Sequence, residues 1–118
     1  MNVKEAIMAF SQSEKIKAGI IWISQSLEVL QALSGPERQG AERVIRLIMD
    51  MIVTEIHLAR NLAGDAAWEE IEKGIEQARV MIDSGVAPDS VVHLTKALSQ
   101  VTGIAHRSMS FLQAGGLI

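Results

Sequence analysis

Residues 47–53 have the sequence LIMDMIV, which is more apolar than a helix that buries one stripe requires. At about 100° per residue, the apolar side chains between Val44 and Leu62 cover roughly 240° of a helix circumference. A helix at the surface of a monomer needs an apolar stripe of about 100° or somewhat more. The surplus must be covered by other helices, by a second subunit or by a ligand. The segment therefore predicts association.

Residues that favour helix ends divide the chain into helices. Residues that end one helix or begin the next occur together at four places, which are Gly35-Pro36, Ala63-Gly64-Asp65, residues 84–89 and Gly115-Gly116. The predicted helices cover residues 13–34, 37–63, 66–84 and 88–114, and no segment has the alternation typical of a strand. Short loops make sequential helices antiparallel. We expect an all-α single domain over residues 1–118, with an antiparallel up-down four-helix bundle at 13–114.

The first residues of the chain have a helical periodicity of their own. Val3, Ile7 and Phe10 share one face, which projects roughly opposite to the apolar stripe of the following helix. Ser11 and Glu14 have the spacing of a capping box. Residues 1–12 are therefore predicted to form a short N-terminal helix or arm that packs sideways or onto a partner.

The four predicted helices differ in their apolar surface. The third has one stripe, whereas the first, second and fourth carry further apolar side chains beside the stripe that faces the core. A homodimer interface explains this surplus best, and a different protein partner is the alternative. The predicted interface residues are Trp22, Val29, Leu33, Met49, Val53, Ile104 and Phe111.

Glu55 lies inside the apolar arc of the second helix. A carboxylate there must be paired, protonated or at a wet interface. The favoured interpretation is a pair with a lysine, an arginine or a helix end across the bundle or the dimer seam. The alternative is an acid that handles protons or binds a ligand in a bundle-core pocket. No Glu-x-x-His pair typical of di-iron bundles occurs, so no metal site is predicted.

The string from His93 to Ala97 resembles the His-x-x-Lys-Gly core of histidine phosphotransfer domains, with Ala97 where that family has glycine. Those domains are also helical bundles. The resemblance implies that His93 is the phosphorylated residue and Lys96 its neighbouring cation. The alternative is a surface histidine at the edge of the interface strip.

Composition narrows the function classes. The chain has no cysteine, so neither disulfides nor thiolate metal sites are expected. Its 11 basic residues are scattered among 14 acidic ones, so nucleic-acid binding is not expected. Neither a membrane span nor a secretory leader is expected, which fits a cytoplasmic location. No nucleophile elbow or phosphate loop occurs, and no cofactor is predicted.

The expected function is therefore that of a non-catalytic helical interaction protein acting as a homo-oligomer: an adaptor, a regulator or a chaperone-like partner binder. Two alternatives remain open. One is phosphotransfer through His93, and the other is an enzyme or small-molecule binder with a pocket near Glu55.

Overall fold

The computed structural model describes residues 1–118 and confirms an all-α chain. Four α-helices, α1 to α4, cover Val3–Gln31, Gly35–Leu62, Ala67–Asp83 and Ser90–Ala114, and a short 3-10 turn at Ala87–Asp89 leads into α4. None of these helices combines the length and the apolar character that crossing a bilayer requires.

Helix α1 is continuous from Val3 to Gln31, so the predicted break near residues 11–14 is wrong. The capping box lies at its first turn instead. The Asn2 side chain accepts a hydrogen bond from the Glu5 backbone N–H at 2.8 Å, and the Asn2 backbone N–H donates to the Glu5 carboxylate at 3.2 Å. These bonds satisfy two of the free N–H groups at the helix start.

The stripe of α1 that faces the core continues through small residues. Ala6 and Ala9 are buried, whereas Val3 and Ile7 are exposed. Ser13 is also buried, and its hydroxyl donates to the Ala9 carbonyl at 2.6 Å, which satisfies this polar group inside the core. The large apolar residues therefore suggested a phase break that the alanines bridge.

The core lies between the four helices. Helix α1 packs against α2 and α4, and α3 packs against the same two helices. The apolar stripes of α1 and α3 are buried, and they consist of Ile16, Ile20, Ile23, Leu27 and Leu30 on α1 and of Trp68, Ile71, Ile75, Ala78 and Ile82 on α3. The largest fully buried side chains are Ile16, Ile20, Ile23, Leu30, Met49, Ile56, Trp68, Ile71, Ile75, Ile82, Leu94 and Ile104.

Two predicted interface residues are in this core. Met49 is 0% exposed and Ile104 is 1% exposed, so both interface assignments are wrong. Val53 is partly buried and packs against the core. Helix α4 is rotated so that Ile104 points inward, whereas Val91 is exposed. The rotation of a helix about its axis depends on which two neighbours it contacts. A wide apolar arc is compatible with several such rotations.

Polar contacts fix the relative positions of the helices. Gln12, in the first half of α1, contacts Glu55, in the second half of α2. At the other end of this pair, the Arg38 guanidinium donates to the Leu30 carbonyl at 3.1 Å. The molecule measures 54 × 21 × 19 Å. Helices α1 and α2 therefore share one long side of the molecule.

Candidate interaction surface

One side of the molecule, formed by α1 and α2, exposes large apolar side chains along its length. Trp22 is 61% exposed and Val29 is 62% exposed, which are the largest exposed fractions among the large apolar residues of α1. We call this surface the α1–α2 face, and its exposed apolar residues are Trp22, Val29, Val44, Leu47, Met51, Leu58 and Leu62.

The α1–α2 face follows a regular spacing. On α2, most of its residues belong to the series 41, 44, 48, 51, 55, 58 and 62, which alternates steps of three and four residues. On α1, the series 15, 19, 22, 26, 29 and 33 does the same. Alternating steps of three and four keep side chains on one seam of a helix, as in helices that pack side by side in coiled coils. The face therefore has the pattern of a surface that packs against other helices.

A groove of about 120 Å³ runs between α1 and α2 in the middle of this face. Its lining is mainly apolar and consists of Lys15, Ile16, Gly19, Trp22, Ile48, Met51, Ile52 and Glu55. Gly19 forms part of its floor. A Cβ built on Gly19 would lie 2.9 Å from both Cγ1 and Cδ1 of Ile52, so the missing side chain lets α2 approach α1 closely.

Glu55 forms the polar end of the groove. Its carboxylate lies 3.0 Å from the Lys15 ammonium, and the buried Gln12 amide donates to it at 2.9 Å and to the Glu55 carbonyl at 3.2 Å. The hydrogen bond from Gln12, together with Lys15, holds the pKa of Glu55 below its ordinary value, although burial acts in the opposite direction. Glu55 is therefore ionised at neutral pH, and an acid with this pKa is poorly matched to proton transfer there. The carboxylate pairs across two helices, as the favoured interpretation expected.

The structure does not bring all predicted interface residues together. Leu33 is half-buried just beyond the end of α1. Phe111 is 37% exposed but lies on α4, which packs against α1 and α3, so it is not part of the α1–α2 face. Among the predicted set, only Trp22 and Val29 are exposed members of this face.

The sequence prediction placed surplus apolar surface on α2 but missed the α2 residues that form this face. Val44, Leu47, Met51, Leu58 and Leu62 are all exposed. The alternating spacing on α2 could have identified most of them, because Val44, Met51, Leu58 and Leu62 all belong to the 41-to-62 series.

The opposite edge of α2 has a different chemistry. Its contacts with α3 include the ion pairs of Arg46 with Asp83 at 2.6 Å and of Arg79 with Asp50, and the His57 imidazole lies 2.5 Å from the Glu72 carboxylate. Nowhere in the chain do three His, Asp or Glu side chains lie close enough together to hold a metal ion. Paired charges thus close the α2–α3 side, whereas the apolar α1–α2 face stays open.

His93 and Lys96 lie on α4, away from the α1–α2 face. His93 is half-buried and Lys96 is exposed.

Arg107, nearer the end of α4, pairs with Asp65 at 2.9 Å and is thus engaged at the loop between α2 and α3. Burial raises the pKa of Asp65, but the Ala67 backbone N–H at 2.9 Å and the Arg107 guanidinium outweigh it and hold the pKa below its ordinary value.

Comparisons with protein-family models, with curated proteins and with solved structures gave no match for this chain.

Proposed function

We propose that this chain is a non-catalytic helical interaction protein that binds through the α1–α2 face and acts as a homo-oligomer. The observation that carries the proposal is the exposure of Trp22 in the middle of an apolar face with helix-packing spacing. Tryptophan is among the residues that contribute most to binding energy at protein interfaces. Monomeric soluble proteins rarely leave large contiguous apolar surfaces open unless these surfaces bind something.

The energy available at Trp22 has the right size for a binding anchor. A large aromatic side chain buries about 150–250 Å², and 61% of Trp22 is still exposed. Covering this remainder removes about 90–150 Å² from water and is worth about 2–4 kcal/mol. A single side chain thus provides a substantial part of the energy that a micromolar complex needs, about 8 kcal/mol.

The groove favours a protein partner over a small molecule. Pockets that hold drug-sized ligands measure about 300–1,000 Å³, whereas this groove measures about 120 Å³. Its polar end is already neutralised, because Glu55 pairs with Lys15. A shallow apolar groove of this size suits one or two side chains from another helix.

We also propose that the four helices form an up-and-down antiparallel bundle in a cytoplasmic protein. The Gln12–Glu55 and Arg38–Leu30 contacts support opposite directions for α1 and α2. A hollow lined by Leu27, Gln31, Pro88 and Val91, among others, supports the same for α1 and α4.

Sedimentation velocity at micromolar concentration tests the proposal. We expect a species of twice 12.8 kDa for the wild-type chain. The double variant Trp22→Glu/Val29→Lys should sediment as a monomer, because it places charges in the face. The matched control is Val80→Glu/Val92→Lys, which alters two exposed valines on α3 and α4 and should leave the dimer intact. A monomeric wild-type chain, or a control that dissociates equally, would contradict the proposal.

A further inference from the structure

We propose that the partner of the α1–α2 face is a second copy of this chain, bound antiparallel about a two-fold axis that passes through the groove between Gly19 and Met51. This inference rests on the proposed function and adds to it the orientation and register of the two copies.

The face has the area that such a pairing needs. From Ala41 to Leu62 it extends about 32 Å along α2 at about 1.5 Å per residue, and the short dimensions of the molecule are 21 and 19 Å. The projected area is therefore about 600 Å², and the accessible area of a surface with protruding side chains is larger. A standard interface buries about 800 Å² on each partner. The face is thus large enough to bind its own copy, as an isologous dimer requires.

Two unpaired charges decide the orientation. Lys4 precedes Trp22 by five helical turns and therefore lies on the same side of α1. Glu37 precedes Glu55 by five turns and lies on the groove side of α2. Both residues are exposed. Neither takes part in an ion pair within the chain.

The two charges lie at nearly equal distances from the groove. Lys4 is about 22 Å from Gly19 along α1, and Glu37 is about 21 Å from Met51 along α2. Because α1 and α2 run in opposite directions, the two charges lie at opposite ends of the face. An antiparallel pairing about the groove therefore brings Lys4 to the same level of the interface as Glu37 of the second copy, one helix to the side, and it does so twice. A parallel pairing places like charges together, which is unfavourable.

The same register matches the apolar residues. Trp22 lies one turn beyond Gly19, so it meets the end of the second copy's groove that Lys15 and Glu55 form. An aromatic side chain seated in a facing hollow is the usual anchor of an interface. Val29, farther along α1, meets the Leu58 end of the second copy.

Distance measurements between spin labels test the orientation. The chain has no cysteine, so a single Ala32→Cys variant takes one label per copy. Ala32 is exposed at the end of α1, about 20 Å from the level of Gly19. The antiparallel dimer places the two labels about 40 Å apart. A parallel dimer brings them within about 25 Å of each other, roughly the width of the molecule.

Charge reversal tests the register. Lys4→Glu and Glu37→Lys should each weaken dimerisation about 3- to 30-fold, because each replaces two exposed ion pairs with repulsions. The double variant should restore the wild-type affinity. The matched controls are Lys96→Glu on α4 and Glu69→Lys, which also lies in the first turn of a helix; both should leave dimerisation unchanged.

The outcomes separate this inference from the proposed function. A dimer with labels within 25 Å, or a double variant that fails to recover, overturns the antiparallel register and leaves the proposed function standing. A monomeric wild-type chain overturns both and assigns the face to a different protein.

Discussion

Gly19 offers the sharpest test of how α1 and α2 pack. It lies inside a helix, where glycine is about 1 kcal/mol less favourable than alanine. A Cβ there would meet Cγ1 and Cδ1 of Ile52 at 2.9 Å. Gly40 is the matched control, because it is also inside a helix and a Cβ there has nothing within 4 Å.

The expected magnitudes follow from these contacts. Gly40→Ala should stabilise the chain by about 1 kcal/mol through helix propensity alone. At Gly19 the same gain is opposed by overpacking, because carbon atoms prefer separations of about 3.5–4.0 Å and a core that must move costs about 1–3 kcal/mol. The free energy of unfolding of Gly19→Ala should therefore be about 1–3 kcal/mol lower than that of Gly40→Ala. For a domain of this size, this difference corresponds to a Tm that is about 4–12 °C lower.

Denaturant and thermal unfolding of both variants measure this difference, and Ile52→Ala supplies a double-mutant cycle. With Ile52 truncated, Gly19→Ala should become stabilising, which gives a coupling energy of about 1–3 kcal/mol. Equal stabilisation by Gly19→Ala and Gly40→Ala, or a coupling near zero, would refute the close approach of α2 at Gly19.

Other measurements address individual side chains. Stability should be constant near neutral pH and fall below about pH 4.5, because Glu55 and Asp65 have lower pKa values in the folded chain and the unfolded chain binds protons first; a urea midpoint unchanged down to pH 3 would contradict this. Asp65→Ala should cost about 1–2 kcal/mol, because it removes the acceptor for the Ala67 N–H and the partner of Arg107; denaturant unfolding measures it, and a loss below about 0.3 kcal/mol would contradict the contribution of these two contacts. Since we propose a non-catalytic function, incubation with a phosphodonor should leave no acid-labile phosphate on the chain; a label that His93→Ala abolishes would support phosphotransfer instead.

The sequence determined the helical class and nearly all helix boundaries, because glycine and proline at Gly35-Pro36 and near Gly85 act locally through backbone geometry. It also indicated that α2 carries more apolar surface than its core face uses, and it favoured a pairing of Glu55 with a lysine, an arginine or a helix end. Periodicity within one helix contains this information.

The rotation of each helix about its axis depends on tertiary packing. An arc of roughly 240° fits several rotations almost equally well, so packing against two neighbours determined that Met49 points inward and Met51 outward. Packing also decided that α1 continues past Ser11, because Ala6 and Ala9 are buried and extend the side of α1 that faces the core. The α1–α2 face combines residues from two helices, and their positions relative to each other depend on the close approach of Ile52 to Gly19.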